Sequence, residues 1–295
     1  MKFSIIIPTF NNLEYLKLCV YSIKKNSKFN HEIIVHNNGD KEPTNSFLNQ
    51  NNILFTQTGV NIGITGGVNT GAKKASTNYI VYAHDDFYFL PGWDTAWKNE
   101  IENLKDNFFY LSGTMVQNGQ VTYDCGDNLD NFNEKRLLDN NDKIIYHNFQ
   151  GSTWAPHIIH KDTWNSVGGF SEEFFPGTGS DPDLNLKLWN KGVRIFKGIG
   201  KCKVYHFGSI VTRKKFKNNK LIITDSGRKG AKTFLKKWGF SIKFFTKHYL
   251  HGCKTTKYKK IICNEYDGPL SDPKKNLIYY FELLIDKIKL ILTYK

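Results

Sequence analysis

His84-Asp85-Asp86 follows directly on the apolar run YIVYA (79–83). Such a run reads as a buried strand, and in open α/β sheets ligands gather just beyond the carboxyl ends of strands. One or two carboxylates there can hold Mg²⁺ or Mn²⁺, with diphosphate oxygens and water filling the remaining positions. An isolated acidic turn would look the same, but three other groups accompany this one. GVNIGITGGVNTGAKKAS (59–76) sets Gly63, Gly66, Gly67 and Gly71 beside Asn61 and Asn69 before a helical pattern. That composition allows close backbone approach to a ligand and a helix N-terminus aimed at an anion. In VGGFSEEFFPGTGSDPDLNLKLWNKGVRIF (167–196) a Gly/Pro-rich loop delivers Asp181 and Asp183 to a helix start. Acids at that position either cap the helix and complement its dipole or, ionised beside an acceptor hydroxyl, serve as a general base. Residues two apart on a helix point about 200° away from each other, so only one of the pair should face a cleft. His206, in KVYHFGS, ends another strand-like run, where an imidazole can complete a metal site.

The elements that must position these groups are legible as βαβ units. FSIII (3–7) is a strand, and a helix follows Pro8 with Leu13, Leu16, Val20 and Ile23 at three- and four-residue spacing and Asn11 or Asn12 available as cap. EIIVH (32–36), NILFTQ (52–57) and YIVYA (79–83) are further strands, with a Gly/Asn-rich helix start between the last two. This is half of a doubly wound, mostly parallel sheet. After Pro91-Gly92, the residues Trp93, Trp97, Ile101 and Leu104 form one helical stripe, and strand-like sequence returns at 108–116. Residues 117–150, rich in Asn and Asp, read as a loop or small excursion near an acceptor. From Gly151 to Tyr205 the order is strand, helix, Gly-rich loop, helix, strand.

The charge is unevenly placed. Residues 1–200 hold 18 Lys+Arg against 21 Asp+Glu, whereas residues 201–295 hold 23 against 6, a net of +17. A basic end of this kind attracts polyanions: a phospholipid surface, nucleic acid or a phosphorylated acceptor. The five cysteines are scattered, with no C-x-x-C pair, which suits a reducing compartment. No run of eighteen uncharged apolar residues and no signal-peptide pattern is present, so the expectation is a cytoplasmic protein without a transmembrane span. The segment LIYYFELLIDKIKLILTYK (277–295) is apolar but broken by Glu282, Asp286, Lys287 and Lys289. It reads either as a helix packed on the α/β domain or as an amphipathic contact with the cytoplasmic face of an anionic membrane.

In their order and spacing, SIIIPTFNN, EIIVHNNGD, NIGITGGVNTG, HDDFYFLPGW, GGF…FFPG…DPDL and VYHFGS resemble the family 2 glycosyltransferases of GT-A fold, over roughly residues 3–210. The resemblance implies an α/β, Rossmann-like sheet flanked by helices, with residues 1–210 as catalytic domain. Its nucleotide-sugar half would be about 1–90, its acceptor half about 91–210, and residues 211–295 a basic, aromatic, helical extension. It implies inverting transfer from an NDP-sugar (UDP-, GDP- or dTDP-linked) to a hydroxyl of a glycan or lipid-linked glycan, as in polysaccharide biosynthesis. Asp181 falls at the family's base, and Asp86 and His206 at the Mn²⁺ or Mg²⁺ site. Asp85 falls at the diphosphate, and Pro8, Thr9, Asn11, Asn37 and Asn38, with Asn61, Gly63, Gly67 and Asn69, at the nucleotide-sugar. Trp154 and Asp183 are candidate acceptor contacts.

Three positions depart from the family pattern. His84 stands at the first acid of D-x-D, Asn37 where many relatives carry Asp, and Ser180 where a Glu usually precedes the base. Competing readings are a nucleotidyltransferase of similar fold and a non-catalytic sugar- or nucleotide-binding module. The first would want a Gly-rich, Arg/Lys-bearing loop where this chain has PTFNN. The absence of an RRM- or KH-like motif argues against an RNA-binding protein.

Overall fold

The computed structural model describes residues 1–151, 153–208, 226–255 and 261–294. Parts of the basic extension, 209–225 and 256–260, lie outside the described residues. Strands β1 (Ser4–Thr9), β2 (Glu32–Asn37), β3 (Leu54–Gln57) and β4 (Tyr79–Tyr82) alternate with helices α1 (Leu13–Asn26), α2 (Thr44–Gln50) and α3 (Gly63–Ala72). Then come β5 (Phe87–Phe89), α4 (Trp93–Leu104), β6 (Phe109–Gln117), α5 (Glu134–Asp139), β7 (Phe149–Gln150), β8 (His157–His160) and α6 (Lys161–Ser166). Next come α7 (Ser180–Asn190) and β9 (Ile195–His206). The extension adds α8 (Ser226–Trp238), α9 (Ile242–His248), a short hairpin of β10 (Lys254–Thr255) and β11 (Ile261–Ile262), and α10 (Leu277–Tyr294).

One sheet runs β3-β2-β1-β4-β8-β6-β9-β5, with β7 also on β9. The strands β1 to β4 are mutually parallel, as are β6 and β9, while β8, β5 and β7 run the other way. β1 is buried along its whole length, which explains its unbroken apolar sequence. The register gathers the ends that matter on one rim. Thr9 pairs with Asn37 and Asn37 with Gln57. Tyr82 pairs with His157, Gln117 with His206, and Phe87 with the same His206.

Four details differ from the reading of the sequence or extend it. Neither α2 nor the three-residue β5 shows a periodic pattern of its own. Asn12 precedes α1 but makes no side-chain capping bond; the backbone starts the helix through Leu16 N–H to the Asn12 carbonyl at 3.0 Å. Residues 117–150 are largely irregular, yet Val116, Cys125, Leu137 and Ile144 pack with Tyr88, Tyr205 and Phe207 into a second apolar cluster. Cys253 and Cys263 form a disulfide, a pairing their ten-residue separation gave no sign of. The hairpin brings them opposite, since Lys254 pairs with Ile262 and Thr255 with Ile261. Cys19, Cys125 and Cys202 are buried free thiols.

Candidate active site

The loop between β4 and β5 turns Asp85 and Asp86 in different directions. Asp85 Oδ2 accepts a 2.7 Å hydrogen bond from Thr9 Oγ1 at the end of β1. Burial and the neighbouring Asp86 carboxylate push Asp85 up to about 7, the Thr9 hydroxyl offsetting part of this. Asp86 instead faces two imidazoles: Oδ2 lies 3.7 Å from His206 Nε2 and Oδ1 lies 3.9 Å from His84 Nδ1. One ligand atom from each of His84, Asp86 and His206 lies within 4.8 Å of the others. The pairing of β5 with β9 causes this convergence, because Phe87 is registered on His206 and Phe207 N–H bonds the Asp86 carbonyl at 3.3 Å.

Both imidazoles are held in place by neighbours. Nδ1 of His206 lies 3.1 Å from the Asn118 carbonyl, which fixes the proton there and leaves the lone pair on Nε2. That Nε2 is buried and makes no hydrogen bond among the described residues. Burial pushes His84 down to about 4, with nearby Asp86 opposing and His206 adding to the shift, while its ring stacks on Phe87 at 4.7 Å. A buried unpartnered imidazole nitrogen, a second neutral imidazole and a carboxylate fit a divalent ion. His84 thus joins Asp86 and His206. The sequence signal was available in its place at the first position of the D-x-D pattern.

Asp181 sits in the first turn of α7. Its carboxyl is pushed up to about 7 by burial, and Oδ1 has no hydrogen-bond partner among the described residues. His157 Nδ1 is 4.0 Å away, but burial holds that imidazole down to about 3, so the contact is not an ion pair. The same nitrogen shares a 2.9 Å hydrogen bond with Tyr110 Oη. Tyr82 links the two groups: its ring lies 5.3 Å from both His84 and His157, and Asp181, Asp85 and Asp86 all raise its phenol beyond the effect of burial.

Asp183 faces elsewhere. It is fully buried, and its Oδ1 accepts from Trp238 Nε1 at 2.8 Å and Lys237 Nζ at 2.9 Å. Its carboxylate therefore anchors the extension to α7. Where α8 crosses the loop before α7, a Cβ on Gly230 would lie 2.0 Å from the Thr178 carbonyl. Trp154 is half-buried beside Phe149, with ring centroids 6.4 Å apart, and its Nε1 has no partner among the described residues.

Several of the residues assigned to the nucleotide-sugar are engaged in hydrogen bonds or packing within the protein. Asn37 Nδ2 donates to the Asp40 carbonyl and Asn45 Oδ1, both at 2.9 Å, and its Oδ1 accepts from Gly39 N–H. Asn11, with φ 48°, accepts from Asp40 N–H through Oδ1 at 2.9 Å. Asn38 bridges Ile62 N–H and the Gly63 carbonyl, and Asn61 Oδ1 accepts from Gly63 N–H. The glycine-rich stretch is closely packed. A Cβ at Gly71 would lie 2.6 Å from Ile6 Cγ2 and one at Gly67 2.9 Å from His36 Cδ2, while Ile64 N–H is taken by the Pro176 carbonyl at 2.8 Å. Asn69 joins the two halves through paired 2.9 Å bonds to the backbone of Phe170. Pro8 lies in β1 beside His36.

The sequence model of glycosyl transferase family 2 matches residues 4–162. The chain belongs to this family. The match spans β1 to the start of α6, so it includes Asp85 and Asp86 but neither Asp181 nor His206. Glycosyltransferase GlyA of Streptococcus pneumoniae is 27% identical over 111 residues, covering 36% of this chain and 16% of that protein. The uncharacterized glycosyltransferase YwdF of Bacillus subtilis is 31% identical over 104 residues, covering 35% of this chain and 39% of the relative. The aligned region thus spans well under half of either relative. Among solved structures, S. aureus TarS 1–349 superposes with a TM-score of 0.54 at 16% identity, covering 82% of this transferase and 73% of TarS 1–349. GalNAc-T7, solved with UDP, GalNAc and Mn²⁺, gives 0.55 at 18% identity over 70% of this chain and 44% of its own. These likenesses establish the GT-A fold: a mostly parallel sheet flanked by helices.

Proposed function

We propose that the enzyme transfers a sugar from an NDP-sugar to an acceptor hydroxyl with inversion, Asp181 acting as general base. The carrying observation is the Asp181 carboxyl, raised to about 7, with a buried, unpartnered oxygen on the same rim as the His84, Asp86 and His206 cluster. A carboxylate with that affinity for protons is matched to neutral-pH proton abstraction. As the acceptor oxygen bonds to the anomeric carbon, its proton passes to Asp181. The bond from that carbon to the diphosphate oxygen breaks on the opposite face, and the electron pair leaves with the nucleoside diphosphate.

His84, Asp86 and His206 would hold a divalent ion, which neutralises charge on the departing diphosphate. Two imidazole donors favour Mn²⁺ or a later transition ion over Mg²⁺, which prefers oxygen. Thr9 fixes the Asp85 carboxyl at the end of β1, and the loops 37–40 and 61–63 shape the nucleotide side. Neutral His157 walls the base without pairing with it. Solved relatives of this fold carry UDP-GlcNAc, in TarS 1–349, or UDP with Mn²⁺, in GalNAc-T7, so UDP-sugars are the first donors to try. A glycan or lipid-linked glycan is the acceptor class proposed, at the Trp154 side. NMR of a UDP-, GDP- and dTDP-sugar panel with Mn²⁺ or EDTA tests the reading. Metal-dependent consumption of one donor is expected, and none with any donor and acceptor would refute it.

A further inference from the structure

Helix α10 (Leu277–Tyr294) has two opposite sides, and among the described residues only one of them has a partner. Its inner side meets α9: Tyr279 packs on Phe244 with centroids 4.9 Å apart, Glu282 pairs with Lys247 at 2.5 Å and with His248 at 2.6 Å, and buried Asp286 accepts from Ser241 N–H at 2.8 Å. At about 100° per residue, Leu277, Ile278, Phe281, Leu284, Ile288, Ile291 and Leu292 share an arc of about 140° centred opposite that contact. All seven are exposed, Leu277 at 88%, Phe281 at 64% and Leu292 at 74%. The arc contains no charged residue. Lys287 and Lys289 stand at its two borders, and Lys274 and Lys275 precede it.

We infer that this outer face lies on an anionic phospholipid surface, with α10 parallel to the bilayer. Four observations choose that occupant. No helix among the described residues is long and apolar enough to cross a membrane, so the face can rest on lipid but α10 does not span it. Lysines at the borders of an apolar arc reach the headgroups while the apolar side chains enter the acyl boundary. A second copy would bring Lys274, Lys275, Lys287 and Lys289 around the arc against the same four lysines, whereas anionic lipid supplies the opposite sign. The arc is also wider than the narrow seam of a two-stranded coiled coil. Because α8 is anchored to α7 through Asp183, this contact would hold the transferase core at the membrane surface.

Vesicle flotation of the full chain tests the inference and needs no donor turnover, so its outcome is separate from that of the proposed chemistry. Phosphatidylcholine–phosphatidylglycerol vesicles should carry the protein, pure phosphatidylcholine vesicles much less of it, and high salt should weaken binding. Leu284→Glu combined with Ile288→Glu should lower the partition coefficient at least ~10-fold, and Lys287→Ala about fivefold. Unchanged circular dichroism and thermal unfolding would show that both variants fold. Absence of binding to anionic vesicles, or undiminished binding by the double variant, overturns the inference. So does a wild-type dimer that binds no vesicles and that the double variant dissociates, which would assign the face to a second copy.

Discussion

Replacing Asp181 by Asn should stabilise the protein at pH 8. The folded structure raises this carboxyl from 3.8 to about 7, mainly through burial, so the native state binds the proton more tightly than the unfolded chain. Above about pH 7 the native state must hold the charge against that preference. A shift of roughly three units at about 1.36 kcal/mol each corresponds to about 4 kcal/mol. The side chain is a quarter exposed, so water screens part of this, and a gain of about 1–3 kcal/mol is expected for Asp181→Asn. The sign runs opposite to the usual salt-bridged aspartate: the cost is full above the folded value and disappears as pH falls through about 7 towards 3.8. Urea denaturation of wild type and Asp181→Asn at pH 8, 6 and 4.5 measures it. The difference should be largest at pH 8 and shrink at each step. A variant that is equally stable at pH 8, or a difference independent of pH, would refute the assignment of a strained, charge-bearing Asp181.

Asp86→Ala or His206→Ala should weaken Mn²⁺-dependent nucleoside diphosphate binding at least ~10-fold by calorimetry, with metal-free binding little changed. Asp183→Asn should cost about 2–4 kcal/mol in chemical denaturation, because Lys237 loses a buried charge partner, while donor affinity in folded protein stays near normal. Gly71→Ala should destabilise by about 1–3 kcal/mol, since its Cβ would meet Ile6 at 2.6 Å.

The sheet was readable because β1, β2 and β4 are buried strands whose apolar runs are hard to read otherwise, and each leads into a distinctive loop. Asp181 and Asp183 show where spacing runs out. Both stand at a helix start, and choosing between them physically required the tertiary partner Trp238, 55 residues away. His84 illustrates a different limit. Its role depends on β5 pairing with β9, a three-residue strand too short to carry a periodic signal. The glycines of α3 were legible as close-approach positions, but what approaches is mainly the side chain of Ile6 or His36, which sequence does not specify. Similarly, the hydrogen-bonding of Asn37 within its own loop follows from how residues 37–45 turn, which no periodic pattern encodes.

The most direct test of the central claim is transfer by Asp181→Asn, with kcat, donor affinity and product configuration measured together. The proposed role predicts a kcat at least ~10²-fold lower, donor and metal affinities close to wild type, and inverted anomeric configuration in the wild-type product. A near-normal rate in the variant, or retention of configuration by wild type, would contradict it.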